Sequence, residues 1–140
     1  MAHSFDTVVD EVALRLVVPG DDGVLLRATL RYDARDPFAV EATFRAGEES
    51  VSWVLGRDVL SGGLNAETGV GDVRVWPAAC ADGDPDDMIM IELRSPDGQA
   101  QLAVDSADLD AFLLRTFEIV PQGREGEWLD IDGVVARLLA

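Results

Sequence analysis

From Val8 to Val18 the apolar residues Val8, Val12, Leu14, Leu16 and Val18 fall on even positions, with Asp10 as one lapse. Alternation of period two marks a half-buried strand. Pro19-Gly20-Asp21-Asp22-Gly23 supplies a tight turn. Val24 to Tyr32 then alternates again, with Leu26, Ala28, Leu30 and Tyr32 on one face, so the two segments form a hairpin. Asp33 to Pro37 breaks the pattern, and Asp36-Pro37 favours an extended or turning backbone. Phe38–Arg45 and Val51–Leu55 make a second hairpin around Ala46-Gly47-Glu48-Glu49. Arg57 to Leu60 fits one helical turn, stopped by Gly62-Gly63, before a glycine-bearing loop to Gly71. A strand over Val73–Val75 runs to Trp76 and ends at Pro77. Met88–Leu93 and Gln99–Val104 flank Ser95-Pro96-Asp97-Gly98, a turn in which proline presets φ and glycine accepts its positive values.

The period then changes. Leu109, Phe112, Leu113, Thr116, Phe117 and Val120 trace one stripe of an amphipathic helix, with Asp105 or Ser106 as N-cap and Pro121 as the stop. Ile131, Val134, Val135, Leu138 and Leu139 repeat the spacing in a second helix. Strands followed by helices imply an α+β domain: an antiparallel sheet of about seven strands with two C-terminal helices, spanning residues 1–140.

Charge changes the picture most. The formal net charge is −16, and all 11 basic residues are arginine. Nucleic-acid affinity comes largely from cations that displace condensed counterions, so this balance opposes it, and it opposes an anionic membrane surface equally. Cys80 is the single cysteine, which excludes an intrachain disulfide. The N-terminus lacks a basic segment followed by an apolar core, and no stretch approaches the roughly 20 apolar residues of a membrane helix. The expectation is a cytoplasmic protein without membrane insertion.

Catalytic chemistry finds few carriers. His3 is the only histidine and sits near the terminus, so Ser-His-Asp and Cys-His arrangements lack their base. One cysteine and one histidine cannot build a zinc site within a protomer. Asp82, Asp84 and Asp86 match the first positions of a calcium loop, but Asp87 and Leu93 stand where glycine and a bidentate glutamate are needed. Gly69-Val70-Gly71 is a bare GxG, and no P-loop lysine exists. The expectation is no enzyme, no cofactor and no metal. Trp53 and Trp76 read as core residues of strands, whereas Phe38 and Trp128 either dock on the sheet or face a partner. Phe38, Arg57, Arg74 and Trp128 are the candidate partner-binding residues, since aromatics and arginine dominate interface hot spots.

Three segments in order carry a resemblance: Leu30-Arg31-Tyr32-Asp33 with Asp36-Pro37-Phe38-Ala39-Val40, then Trp53-Val54-Leu55-Gly56-Arg57-Asp58-Val59-Leu60, then Gly69-Val70-Gly71-Asp72-Val73-Arg74-Val75-Trp76-Pro77. Looser likeness runs through Leu93-Arg94-Ser95-Pro96-Asp97-Gly98 and Phe112–Thr116. The chain resembles the SsgA-like sporulation and cell division proteins of filamentous actinobacteria. That resemblance implies a whirly-like fold, a homotrimer, and a non-catalytic adaptor recruited to the division septum. Its implied partners are the tubulin-like GTPase FtsZ, an SsgA-type paralogue and wall-synthesis proteins. The alternative, a whirly-like single-stranded nucleic-acid binder, needs a cationic groove that the charge opposes. A small-molecule-binding sheet domain has no polar constellation to support it.

Overall fold

The computed structural model describes residues 6–17, 23–78 and 88–127. Its strands are β1 (Thr7–Leu16), β2 (Val24–Asp33), β3 (Ala39–Ala46), β4 (Glu49–Gly56), β5 (Thr68–Val70), β6 (Val73–Ala78), β7 (Met88–Ser95) and β8 (Gly98–Asp105). Helix α1 (Arg57–Gly63) follows β4, helix α2 (Ser106–Ile119) follows β8, and a 3-10 turn covers Glu125–Glu127. All eight strands join one curled antiparallel sheet in the order β4-β3-β2-β1-β8-β7-β6-β5. It is two consecutive meanders, β1–β4 and β5–β8. They meet where β1 pairs β8 over Leu14↔Val104, Arg15↔Ala103 and Leu16↔Leu102.

The alternating positions sort as the pleat requires. Val8, Val12 and Leu14, Leu26 to Tyr32 on even numbers, Val40, Ala42 and Phe44, and Ile89, Ile91 and Leu93 all enter one core. Helix α2 closes that core with Leu109, Phe112, Leu113 and Thr116. Asp105 caps it, its side chain accepting from the Ala107 N–H at 2.8 Å. The lapse at Asp10 is explained by α2 as well: Arg115 reaches it at 3.4 Å.

One expectation needs correction and another needs refining. The loop expected before Gly71 contains an eighth strand, β5, which pairs with β6 through Thr68↔Val75, Gly69↔Arg74 and Val70↔Val73. Gly62-Gly63 ends the helix as its last two residues rather than after it, and lies against the sheet. A Cβ on Gly63 would stand 2.1 Å from Val75 Cγ1, and one on Gly62 would stand 2.7 Å from Thr68 Oγ1. The pair is there for close helix–sheet approach. The second C-terminal helix, the Pro19–Asp22 turn, and the Cys80–Asp87 loop with its weak calcium likeness lie outside the described residues. So do His3 and Trp128.

Candidate functional site

The site begins at the end of β2. Tyr32 is fully buried, and its hydroxyl donates to the Pro37 carbonyl at 3.0 Å. Burial pushes its pKa up to about 12, against a smaller downward pull from Arg57. The five residues that follow are tied tightly. Asp36 N–H donates to the Asp33 carbonyl at 2.9 Å, Ala39 N–H to the Asp36 carbonyl at 3.3 Å, and Ala34 N–H to the Asp6 carbonyl at 3.0 Å. The Asp33 carboxylate accepts from the Arg35 N–H at 2.9 Å and from the Arg35 guanidinium at 2.7 and 3.1 Å. Those bonds hold its carboxyl below the usual carboxylate range. Pro37 turns inward, and Phe38 emerges 48% exposed. Beside the loop, a depression of about 270 Å³ is lined by Arg31, Asp33, Arg35, Asp36, Glu41 and Val54.

Under this loop sits Arg57, where the structure corrects its placement as a partner-facing residue. Its side chain is 0% exposed. It opens α1, its backbone N–H donates to the Phe38 carbonyl at 2.8 Å, and its guanidinium points into the core. Nη1 donates to the carbonyls of Val120 (2.8 Å) and Thr116 (3.3 Å), which end α2, and Nη2 donates to Glu125 Oε2 at 2.8 Å. The guanidinium carbon lies 4.4 Å from the Phe117 ring centroid and 4.9 Å from that of Tyr32. A cation at a helix C-terminus meets the dipole's negative end and the unsatisfied carbonyls together. Glu125 is buried too, and its hydrogen bond from Arg57 draws its pKa down despite the burial that raises it. The physical reason for the correction is this demand: three acceptors and two rings need the charge inside.

Phe38 and Arg57 are thus brought together through one backbone hydrogen bond. Arg74 is not part of that cluster. It stands on the outer face of β6 with Glu92 in register beside it, exposed, 3.3 Å from Glu67, next to an open depression shared with Arg94. Glu92 accepts from Arg94 Nε at 2.6 Å and Gln101 Nε2 at 3.1 Å, which lowers its pKa. Sequence reasoning missed Tyr32, Phe117 and Glu125 as the braces of the Phe38 loop. The separations of 59 to 68 residues between Arg57 and its acceptors leave no local spacing to read. Among the described residues, no group of three or more His, Cys, Asp or Glu side chains is placed to hold a metal ion, and no helix is long and apolar enough to cross a membrane.

Residues 26–125 match the family model described as Streptomyces sporulation and cell division protein, SsgA. The sporulation-specific cell division protein SsgB of Salinispora tropica is 47% identical over 137 residues, covering 96% of this chain and 94% of its own. That of Streptomyces coelicolor is 44% identical over 96% of both chains. Among solved structures, the SsgA-like sporulation-specific cell division protein from Thermobifida fusca superposes with a TM-score of 0.86 at 41% identity, covering 99% of each chain. The structure from work on SsgB mutations that correlate with longitudinal cell division during sporulation of Streptomyces coelicolor superposes with a TM-score of 0.84 at 43% identity, covering 92% of this chain and all of that one. A match this long, on a sheet and helix arranged as in those structures, leaves one conclusion: this chain belongs to the SsgA family of sporulation and cell division proteins.

Proposed function

We propose that this chain, acting as one domain over residues 1–140, is a non-catalytic adaptor of sporulation-specific cell division. It docks division or wall-synthesis proteins, with an FtsZ-type GTPase and an SsgA-type paralogue as partners, at the cytoplasmic side of the septum. The observation that carries the docking mode is Phe38, held out on a loop whose Pro37 and Phe38 carbonyls are braced from below by Tyr32 and Arg57. A large apolar ring presented on a preorganised backbone loses little entropy on binding, which is what an interface anchor requires. The likeness to SsgB proteins over nearly the whole chain supports the process. A whirly-like homotrimer, which the family resemblance implies, is proposed as the working assembly.

The described arginines do not support the nucleic-acid alternative. Arg31 and Arg35 face Asp33, Arg45 faces Glu11, Arg74 faces Glu67, and Arg94 faces Glu92. Cations already neutralised by carboxylates do not form the groove that phosphates need.

Sedimentation with FtsZ polymers tests the proposal. Wild-type protein co-sediments, and Phe38→Ala weakens the association roughly 30-fold, the effect of losing an anchor worth about 2 kcal/mol. Wild-type protein that neither co-sediments with nor bundles the polymers sinks direct recruitment.

A further inference from the structure

The two ends of the sheet are unlike. β5 is three residues long and lies against α1, a short covered edge. β4 is eight residues long, and among the described residues no backbone hydrogen bond reaches Glu49–Val54 from any element but β3. The Arg57 N–H bond to the Phe38 carbonyl sets the phase of the β3–β4 ladder. By alternation, residues 51, 53 and 55 exchange bonds with Phe44, Ala42 and Val40. Ser50, Ser52 and Val54 therefore turn their N–H and C=O groups to the open side.

The side chains along this edge are apolar where they are exposed most. Val51 is 56% exposed on the core face and Val54 is 68% exposed on the outer face. Trp53, half-buried, looks across an open groove of about 310 Å³ toward Leu93, Asp97 and Gln99 of the β7–β8 hairpin. Neither proline nor a basic residue lies in Glu49–Gly56, so the usual devices that blunt an edge are missing. Around it stand Glu41, Glu48, Glu49 and Asp97, none of which has an arginine within ion-pair distance among the described residues. With 27 acidic residues against 11 arginines the chain has carboxylates to spare, and these four flank the open edge.

The geometry points to β4 as a strand-addition site for an extended basic segment of a partner protein, with apolar residues opposite Val51 and Trp53 and lysine or arginine opposite Ser52 and Val54. Residues directly opposite share a face, so the apolar set extends the core while the basic set lies one strand from Glu41, whose neighbour on the far side is Arg31. Their alkyl stems cover Val54. This deepens the docking role by naming a second contact and its chemistry.

The probe is a fluorescein-labelled peptide of about seven residues alternating lysine and valine, a length that matches one strand. It binds the wild-type full chain by fluorescence anisotropy, more weakly as salt rises. Hydrogen exchange then slows at the amides of Ser50, Ser52 and Val54. N-methylating the peptide amides that face β4 lowers affinity at least about tenfold, since each lost bond leaves a carbonyl unmet. Ser52→Pro does the same while keeping every β3–β4 backbone bond, losing toward β3 only the Ser52–Thr43 hydroxyl bond. The methylated peptide keeps the test intact on wild-type protein if that variant fails to fold. The inference is overturned by no binding, by equal binding of the methylated peptide, or by equal binding of a peptide with its lysines and valines in two blocks. It is also overturned if Ser52→Pro lowers the assembly mass, because a second copy then occupies the edge. Peptide failure with FtsZ co-sedimentation intact removes this site and leaves the adaptor proposal standing.

Discussion

Two arginine–glutamate pairs, whose glutamates stand two residues apart in the chain, behave as opposites. Arg57 meets Glu125 at 2.8 Å with side chains 0% and 7% exposed, while Arg124 meets Glu127 at 2.6 Å with 63% and 58% exposed. The exposed pair is the shorter. Distance therefore says nothing about which pair matters; the surroundings do. Water and salt screen the Arg124–Glu127 attraction and solvate either partner when the other is removed. Inside, neither relief exists, so the Arg57–Glu125 pair is consequential when one partner is lost.

The largest break in that comparison is Arg57→Leu. It leaves Glu125 as a buried unmatched carboxylate and strips the Thr116 and Val120 carbonyls of their donor, costing about 3–5 kcal/mol in urea denaturation. Adding Glu125→Leu restores only part of this, because the two carbonyls stay unmet. Full recovery would show that charge alone was at stake.

Alkaline titration comes next. Tyr32 is raised from 10.0 to about 12 in the folded chain, so its contribution is complete below pH 10 and falls away as pH climbs from 10 to 12. The loss approaches about 3 kcal/mol over that window. Tyr32→Phe removes this slope in denaturation curves taken across the same range.

Acid titration sharpens the contrast further. Glu125 and Glu127 both sit below the ordinary carboxylate value of 4.5, so each stabilises above that pH and loses its contribution as pH falls through its folded value. The two separate by salt. Glu125→Gln flattens the acid limb of stability at low and at high ionic strength, whereas Glu127→Gln does so only at low ionic strength. Equal salt sensitivity would contradict the burial of Glu125. The smallest effect belongs to Arg124→Ala, which leaves the melting temperature unchanged within error by calorimetry; a shift matching that of Arg57→Leu would erase the distinction.

How much of this was legible beforehand depends on the length of each signal. The long strands β1, β2, β3, β7 and β8 announce themselves because several alternating positions accumulate in each. Thr68-Gly69-Val70 offers three residues, too few to show a period, and one glycine inside it with another just after it imitate a loop. Gly62-Gly63 read as punctuation because a glycine's reason can lie in another element, here Val75 and Thr68. Arg57 was the instructive misplacement. A charged residue in a single helical turn has no face to read, and its acceptors come from far along the chain. Asp36-Pro37 did mark where the backbone breaks, and Phe38 stands exposed just past that break.

The seam between β1 and β8 carries a consequence for how the molecule comes together and comes apart. Within each four-strand half, every strand lies beside its chain neighbour, so each half assembles from short loop closures. The two halves are joined by the three-residue junction, by α2 beside it, by the Arg57 bonds to the end of α2 and by one shared core. Local strand pairing therefore forms early and the shared core closes last, so opening of that core exposes both halves together and their amides lose protection as one unit.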